Sequence, residues 1–137
     1  GDLDLRHTLI TSLPEDLKIV DGDLNLSGSK ITSLPENLKV SGTLALSRTP
    51  ITFLPDNLFV GGALFLSETP IATLPNNLSV GGGLLLSRTL INDLPKDLKV
   101  GGDIYLGYTP IMKRYRTRPS QLKSRIPGLM GNIIFYR

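Results

Sequence analysis

Apolar positions in this chain recur with a fixed spacing. In the stretch 42–61, Leu44, Leu46, Ile51, Leu54, Leu58 and Val60 are apolar, and the residues between them are mostly polar, Gly or Pro. The same order returns along most of the sequence. Gly-x-Leu-x-Leu-Ser occurs at 22–27, 42–47, 62–67 and 82–87, with relaxed copies at 1–6 and 102–107. Ile31, Ile51, Ile71, Ile91 and Ile111 follow one another at intervals of 20, and Ile10 stands 21 before Ile31, so one extra residue falls within Leu17–Gly22. A strict period of this length is the signature of a solenoid, in which each repeat buries its apolar face only by stacking on its neighbours.

Within a repeat, two leucines at spacing two after a glycine read as a short strand with both leucines inward. Three residues on comes a hydroxyl column of Thr8, Ser29, Thr49, Thr69, Thr89 and Thr109. It is expected to bond the backbone of adjacent turns at an inward corner. Leu-Pro at 13–14, 34–35, 54–55, 74–75 and 94–95 fixes a bend and disfavours helix. Gly61-Gly62, Gly81-Gly82-Gly83 and Gly101-Gly102 are read as permissive backbone for a second bend. The predicted fold is a leucine-rich-repeat solenoid: a parallel sheet of about six short strands, an extended or turn-like opposite side with little helix, and a C-terminal cap.

The period fails after Ile111, where Arg114-Tyr115 replaces Leu-Pro. Two regions follow from this: a solenoid of five full repeats and a partial sixth over 1–112, and a cap over 113–137. In the cap, 119–126 predicts a short helix ended by Pro127-Gly128, and Ile133-Ile134-Phe135-Tyr136 predicts a strand. No comparable cap precedes Gly1, so further sequence upstream is expected.

Charge divides at the same boundary. Residues 1–112 carry 8 Lys/Arg and 12 Asp/Glu, whereas 113–137 carry 7 Lys/Arg and no acid. The chain has no cysteine, which excludes disulfides, zinc-thiolate sites and thiol catalysis. No apolar run approaches the roughly 20 residues of a bilayer-spanning helix, and no membrane association is expected.

The repeat at Leu54-Pro55-x-x-Leu58, followed by Leu64-x-Leu66-Ser67-x-Thr69-x-Ile71, resembles a bacterial leucine-rich repeat. It is most similar to the 20-residue repeats of secreted effectors of Gram-negative pathogens and of some phage-encoded proteins. The resemblance covers 1–112 and implies one strand per repeat on a concave face that binds another protein. It leaves the compartment open between cytoplasm and secretion into a host cell. In two respects the chain departs from that pattern: the usual ladder Asn is Thr or Ser, and the doubled Leu-Pro segment is single, with a Val-x-Gly turn added. Some such effectors carry a cysteine-dependent ubiquitin ligase domain, an activity that a cysteine-free chain cannot inherit.

Little in the chain points to catalysis, and neither an enzymatic activity nor a cofactor is expected. His7, the one histidine, reads as an exposed side chain at the edge of the first repeat. Ser27, Ser47, Ser67 and Ser87 are fixed by the repeat and have no base beside them. Gly81-Gly82-Gly83 lacks the Lys-Ser/Thr of a phosphate loop. Asp2, Asp4 and Asp23 read as a solvated acidic face ahead of a divalent-cation site. Asn25-Leu26-Ser27 and Asn77-Leu78-Ser79 match a glycosylation sequon as a by-product of fixed columns.

The informative residues are those the repeat leaves free. Between the inward leucines the outward column runs Asp4, Asn25, Ala45, Phe65, Leu85, Tyr105. With strands about 4.8 Å apart, Phe65, Leu85 and Tyr105 form an apolar stripe roughly 10 Å long. The next column runs His7, Gly28, Arg48, Glu68, Arg88, Tyr108, in which Arg48, Glu68 and Arg88 are expected to form a charge ladder. An apolar and aromatic patch flanked by arginines suits a protein partner, bound by a monomer. The rival surface is the cap, where Lys113, Arg114, Tyr115, Arg116, Arg118, Lys123 and Arg125 could hold nucleic acid or another polyanion, with Tyr115 stacking on a base.

Overall fold

Each repeat closes into one coil, and the coils stack in register. The computed structural model describes residues 1–135. In chain order its elements are β1 (Leu3–Asp4), β2 (Ile19–Val20), β3 (Leu24–Asn25), β4 (Lys39–Val40), β5 (Leu44–Ala45), β6 (Phe59–Val60) and β7 (Leu64–Phe65). There follow β8 (Ser79–Val80), β9 (Leu84–Leu85), β10 (Lys99–Val100), β11 (Ile104–Tyr105), helices α1 (Pro110–Tyr115) and α2 (Pro119–Ser124), and β12 (Ile133–Ile134). The Leu-x-Leu strands and β12 form a seven-stranded parallel sheet in the order β1-β3-β5-β7-β9-β11-β12. The even-numbered strands β2 to β10 form a second, five-stranded parallel sheet.

The second sheet replaces what the sequence suggested was only a Val-x-Gly turn. Its cause is the alternation ahead of the glycines: Val40, Val60, Val80 and Val100 are buried, while Lys39, Phe59 and Lys99 before them are exposed. That local period of two extends the backbone, and stacking gives its N–H and C=O groups partners in the next coil. Registers are uniform, with Leu44 opposite Leu64 and Val40 opposite Val60. In the first coil Leu3 faces Leu24 but Ile19 faces Lys39, so the extra residue is absorbed between β1 and β2.

The six apolar positions of a repeat fill the interior of its coil: Leu44, Leu46, Ile51, Leu58 and Val60 have no exposed surface and Leu54 has 5%. The Thr hydroxyls do not reach adjacent coils as the sequence suggested. Thr49, Thr69, Thr89 and Thr109 each donate to the carbonyl three residues earlier in their own coil, at 2.6–2.8 Å. The turn between strand and Thr column brings hydroxyl and carbonyl together, so local geometry prevails. The Gly61, Gly81 and Gly101 column also works differently from a flexible bend. Its backbone lies outside the left-handed region, but a Cβ there would collide with the carbonyl oxygen of the coil before.

The C-terminal segment finishes both sheets. Thr109, a repeat residue, caps α1 by accepting from the Met112 backbone N–H at 3.3 Å, with Pro110 in the first turn. This helix was not foreseen, because Pro110-Ile111 reads as a sixth repeat. The predicted 119–126 helix is α2. β12 pairs with β11, while Leu129 bridges Val100 at the edge of the second sheet. Tyr115, Leu122, Ile126 and Leu129 join the same apolar core. Tyr136, included in the predicted last strand, lies outside the described residues.

Candidate interaction surface

The outer face of the seven-stranded sheet carries one variable side chain per strand. Ala45 faces Phe65, Phe65 faces Leu85, Leu85 faces Tyr105 and Tyr105 faces Ile134. The row thus grades from Asp4 and Asn25 at one end to five consecutive apolar residues at the other. Phe65 is 37% exposed, Leu85, Tyr105 and Ile134 are half-buried and Ala45 is buried. Ile134 extends the row by one strand beyond the sequence reading. The pairing that puts it there is nonlocal, and no periodicity predicted it.

The adjoining column shares one backbone conformation. His7, Arg48, Glu68, Arg88 and Tyr108 have φ of 58–61°, and Gly28 has 71°. Left-handed backbone is uncommon for bulky residues, and glycine is its natural occupant. The repeat therefore holds five long or aromatic side chains where glycine would be least strained, and all five are exposed.

The expected three-membered charge ladder is broken. Arg48 Nε donates to Glu68 Oε1 at 3.3 Å, both side chains being largely exposed. Arg88 does not pair with Glu68. Its guanidinium lies over the Tyr108 ring, 4.6 Å from the centroid. A guanidinium stacks well on an aromatic face, and Glu68 already has a cation. Beside these residues Ser87 Oγ is buried without a hydrogen-bond partner.

The acidic residues near the first strand do not converge. Asp2 Oδ1 accepts from the Asp23 backbone N–H and Asp23 Oδ1 from the Thr43 backbone N–H, both at 2.8 Å. Each carboxylate thus ties its coil to the next. Asp4 is held by Arg6, whose Nη2 and Nε donate at 2.8 and 2.9 Å. Those bonds, with a further one from the Arg6 backbone, lower the Asp4 carboxyl below its ordinary range and raise Arg6. Among the described residues no three His, Asp or Glu side chains are grouped as metal ligands.

The basic cap is largely engaged with itself and with the last full repeat. Tyr115 is buried, with its hydroxyl accepting from Arg125 Nη1 at 2.6 Å, so the ring expected to stack on a base is enclosed. Arg114 donates to the Asn92 carbonyl and Arg118 to the Arg114 carbonyl. Lys123 bonds Asn132, and Arg125 also reaches Asp93 at 3.9 Å. Lys113 and Arg116 are exposed and form no ion pair with any described residue.

The fold and this surface define a repeat solenoid, a parallel stack of coils about 20 residues each. Compared with known protein families and with curated proteins, the chain matches none. No helix among the described residues is long and apolar enough to cross a membrane.

Proposed function

We propose that the protein is a non-catalytic interaction module that binds a protein partner through the outer face of its seven-stranded sheet. Phe65, Leu85 and Tyr105 form the centre, and Arg48, Glu68, Arg88 and Tyr108 set orientation at the margin. The observation that carries this reading is the unbroken apolar row from Ala45 to Ile134 on a face whose other end, Asp4 and Asn25, is polar. The fold tolerates polar residues in that row, so its apolar half is not needed for stacking. Aromatic and arginine side chains around a flat apolar patch are the usual carriers of binding energy between proteins. The resemblance of the repeat to those of bacterial effectors and phage-encoded proteins supports a role as a modulator of a host protein.

The test is capture from host lysate, with and without nuclease treatment, by the native protein and by the double variant Phe65→Ala, Tyr105→Ala. A discrete protein retained at high salt by the native chain and lost from the variant is the expected result. Retention by both rejects the strand face. Capture of nucleic acid that disappears with salt would move binding to Lys113 and Arg116 on the cap.

A further inference from the structure

Tyr108 lines two hollows of opposite character. One, of about 310 Å³, is otherwise lined by Ser67, Glu68, Ser87 and Arg88. The other, of about 490 Å³, is otherwise lined by Thr89, Leu90, Thr109, Pro110, Met112 and Lys113. Tyr108 is 65% exposed and Leu90 56%, so an apolar ring and an aliphatic side chain stand in water side by side. Leu90 occupies the column that holds Pro70 and Pro110 in the two adjoining coils.

The charges around the pair that have no partner are of one sign. Arg88, stacked on Tyr108, makes no ion pair among the described residues, nor does Lys113 on the other side. Glu68, the one acid lining either hollow, is taken by Arg48. A guanidinium stacked on a ring keeps its N–H groups in its own plane, directed past the ring edge, where they can grip a carboxylate.

From this we infer that the Tyr108 site takes an acidic segment of the partner protein, with an apolar side chain between Tyr108 and Leu90 and an adjacent Asp or Glu held by Arg88 and Lys113. The inference rests on the reading of the chain as a protein-binding module and names the chemistry of what it binds. Charge complementarity selects the acid, and the exposed Tyr108–Leu90–Met112 surface selects its apolar neighbour. Tyr108 is exposed and lies three residues beyond Tyr105 in the same coil, so a segment seated there can continue onto the Phe65–Leu85–Tyr105 row.

The test is an amide NMR titration of the whole chain with a blocked hexapeptide of alternating leucine and glutamate, and with its glutamine counterpart. The glutamate peptide is expected to shift Arg88, Leu90, Tyr108, Met112 and Lys113, and to bind at least tenfold more tightly. Tyr108→Gly should lower that affinity at least tenfold without loss of thermal stability, since glycine suits the backbone there. Arg88→Gln with Lys113→Gln should make the two peptides equivalent. Equal affinity of the two peptides for the native chain overturns the inference, as does unchanged binding by Tyr108→Gly, or tighter binding of a thymidine decamer at the same residues. Loss of partner capture by Phe65→Ala with Tyr105→Ala, together with no peptide binding by the native chain, sinks this inference alone, and peptide binding without strand-face capture sinks only the broader reading.

Discussion

The backbone of Gly81 lies against the carbonyl oxygen of Gly61, one coil earlier, so closely that no β-carbon fits between them. Two residues on, a Cβ at Gly83 would fit without displacement, meeting the Asp103 carbonyl at 3.5 Å, an ordinary van der Waals contact. Gly81→Ala should therefore destabilise the fold by about 1–3 kcal/mol by forcing coils apart. Gly83→Ala should be neutral or stabilise by about 0.4–1 kcal/mol through the unfolded chain. Urea unfolding of the two variants measures the contrast, and equal midpoints would contradict it.

Leu64 is fully buried between two coils, whereas Leu3, its counterpart in the first coil, is 40% exposed. Leu64→Ala should cost about 2–5 kcal/mol, the range for a cavity in a close-packed core. Leu3→Ala should cost less than about 1.5 kcal/mol, because part of its surface already meets water. Calorimetric melting of the pair tests whether the coils share burial unequally.

Neighbouring hydroxyls should respond in opposite ways. Thr89 Oγ1 donates to the Leu86 carbonyl at 2.7 Å, while Ser87 Oγ is buried with no partner. Thr89→Val keeps the shape, loses the bond and should cost about 1 kcal/mol. Ser87→Ala removes a hydroxyl that gains nothing from burial and should leave stability unchanged or raise it by up to about 1 kcal/mol. Chemical denaturation that finds Ser87→Ala the more damaging would require a partner for that hydroxyl.

Side-chain and backbone hydrogen bonds from Arg6 lower the Asp4 carboxyl. A group whose folded value is depressed contributes its stability above the unfolded carboxylate range and loses it as pH falls through the folded value. The carboxyl carbon of Asp4, followed by NMR, should titrate below an ordinary aspartate. In Arg6→Gln its midpoint should rise toward the ordinary range, and an unmoved midpoint would mean that Arg6 is not the cause.

The inward residues were readable because a strict 20-residue period names them: a position such as Leu58 or Ile71 recurs in every copy, and burial follows from stacking alone. The outward row from Asp4 to Tyr105 followed from the same argument. Less legible were features that depend on where the chain stops repeating. α1 begins on a Thr-Pro-Ile that matches Thr69-Pro70-Ile71, and it can form because Arg114-Tyr115 stands where the earlier coil has the helix-disfavouring Leu74-Pro75. Ile134 joins the row through a pairing with Tyr105, 29 positions earlier, across the aperiodic cap. The second sheet was concealed because Leu58-x-Val60, which has the same spacing of two as Leu44-x-Leu46, runs straight into the glycines and reads as part of a turn. Arg88 had two partners within reach in the sequence, Glu68 and Tyr108, and only three-dimensional competition with Arg48 decides between them.

Uniform register has a consequence for how such a surface changes. Each coil gives the outer row one side chain and carries its own set of inward leucines, so the row can be rewritten one residue at a time while the interior stays as it is. Removing residues 62–81 would set Ala45 beside Leu85 in an intact stack, shortening the row by one strand spacing of about 4.8 Å. The reach of the surface is therefore quantised: it comes in whole coils, and its chemistry is spelled in single letters spaced 20 residues apart.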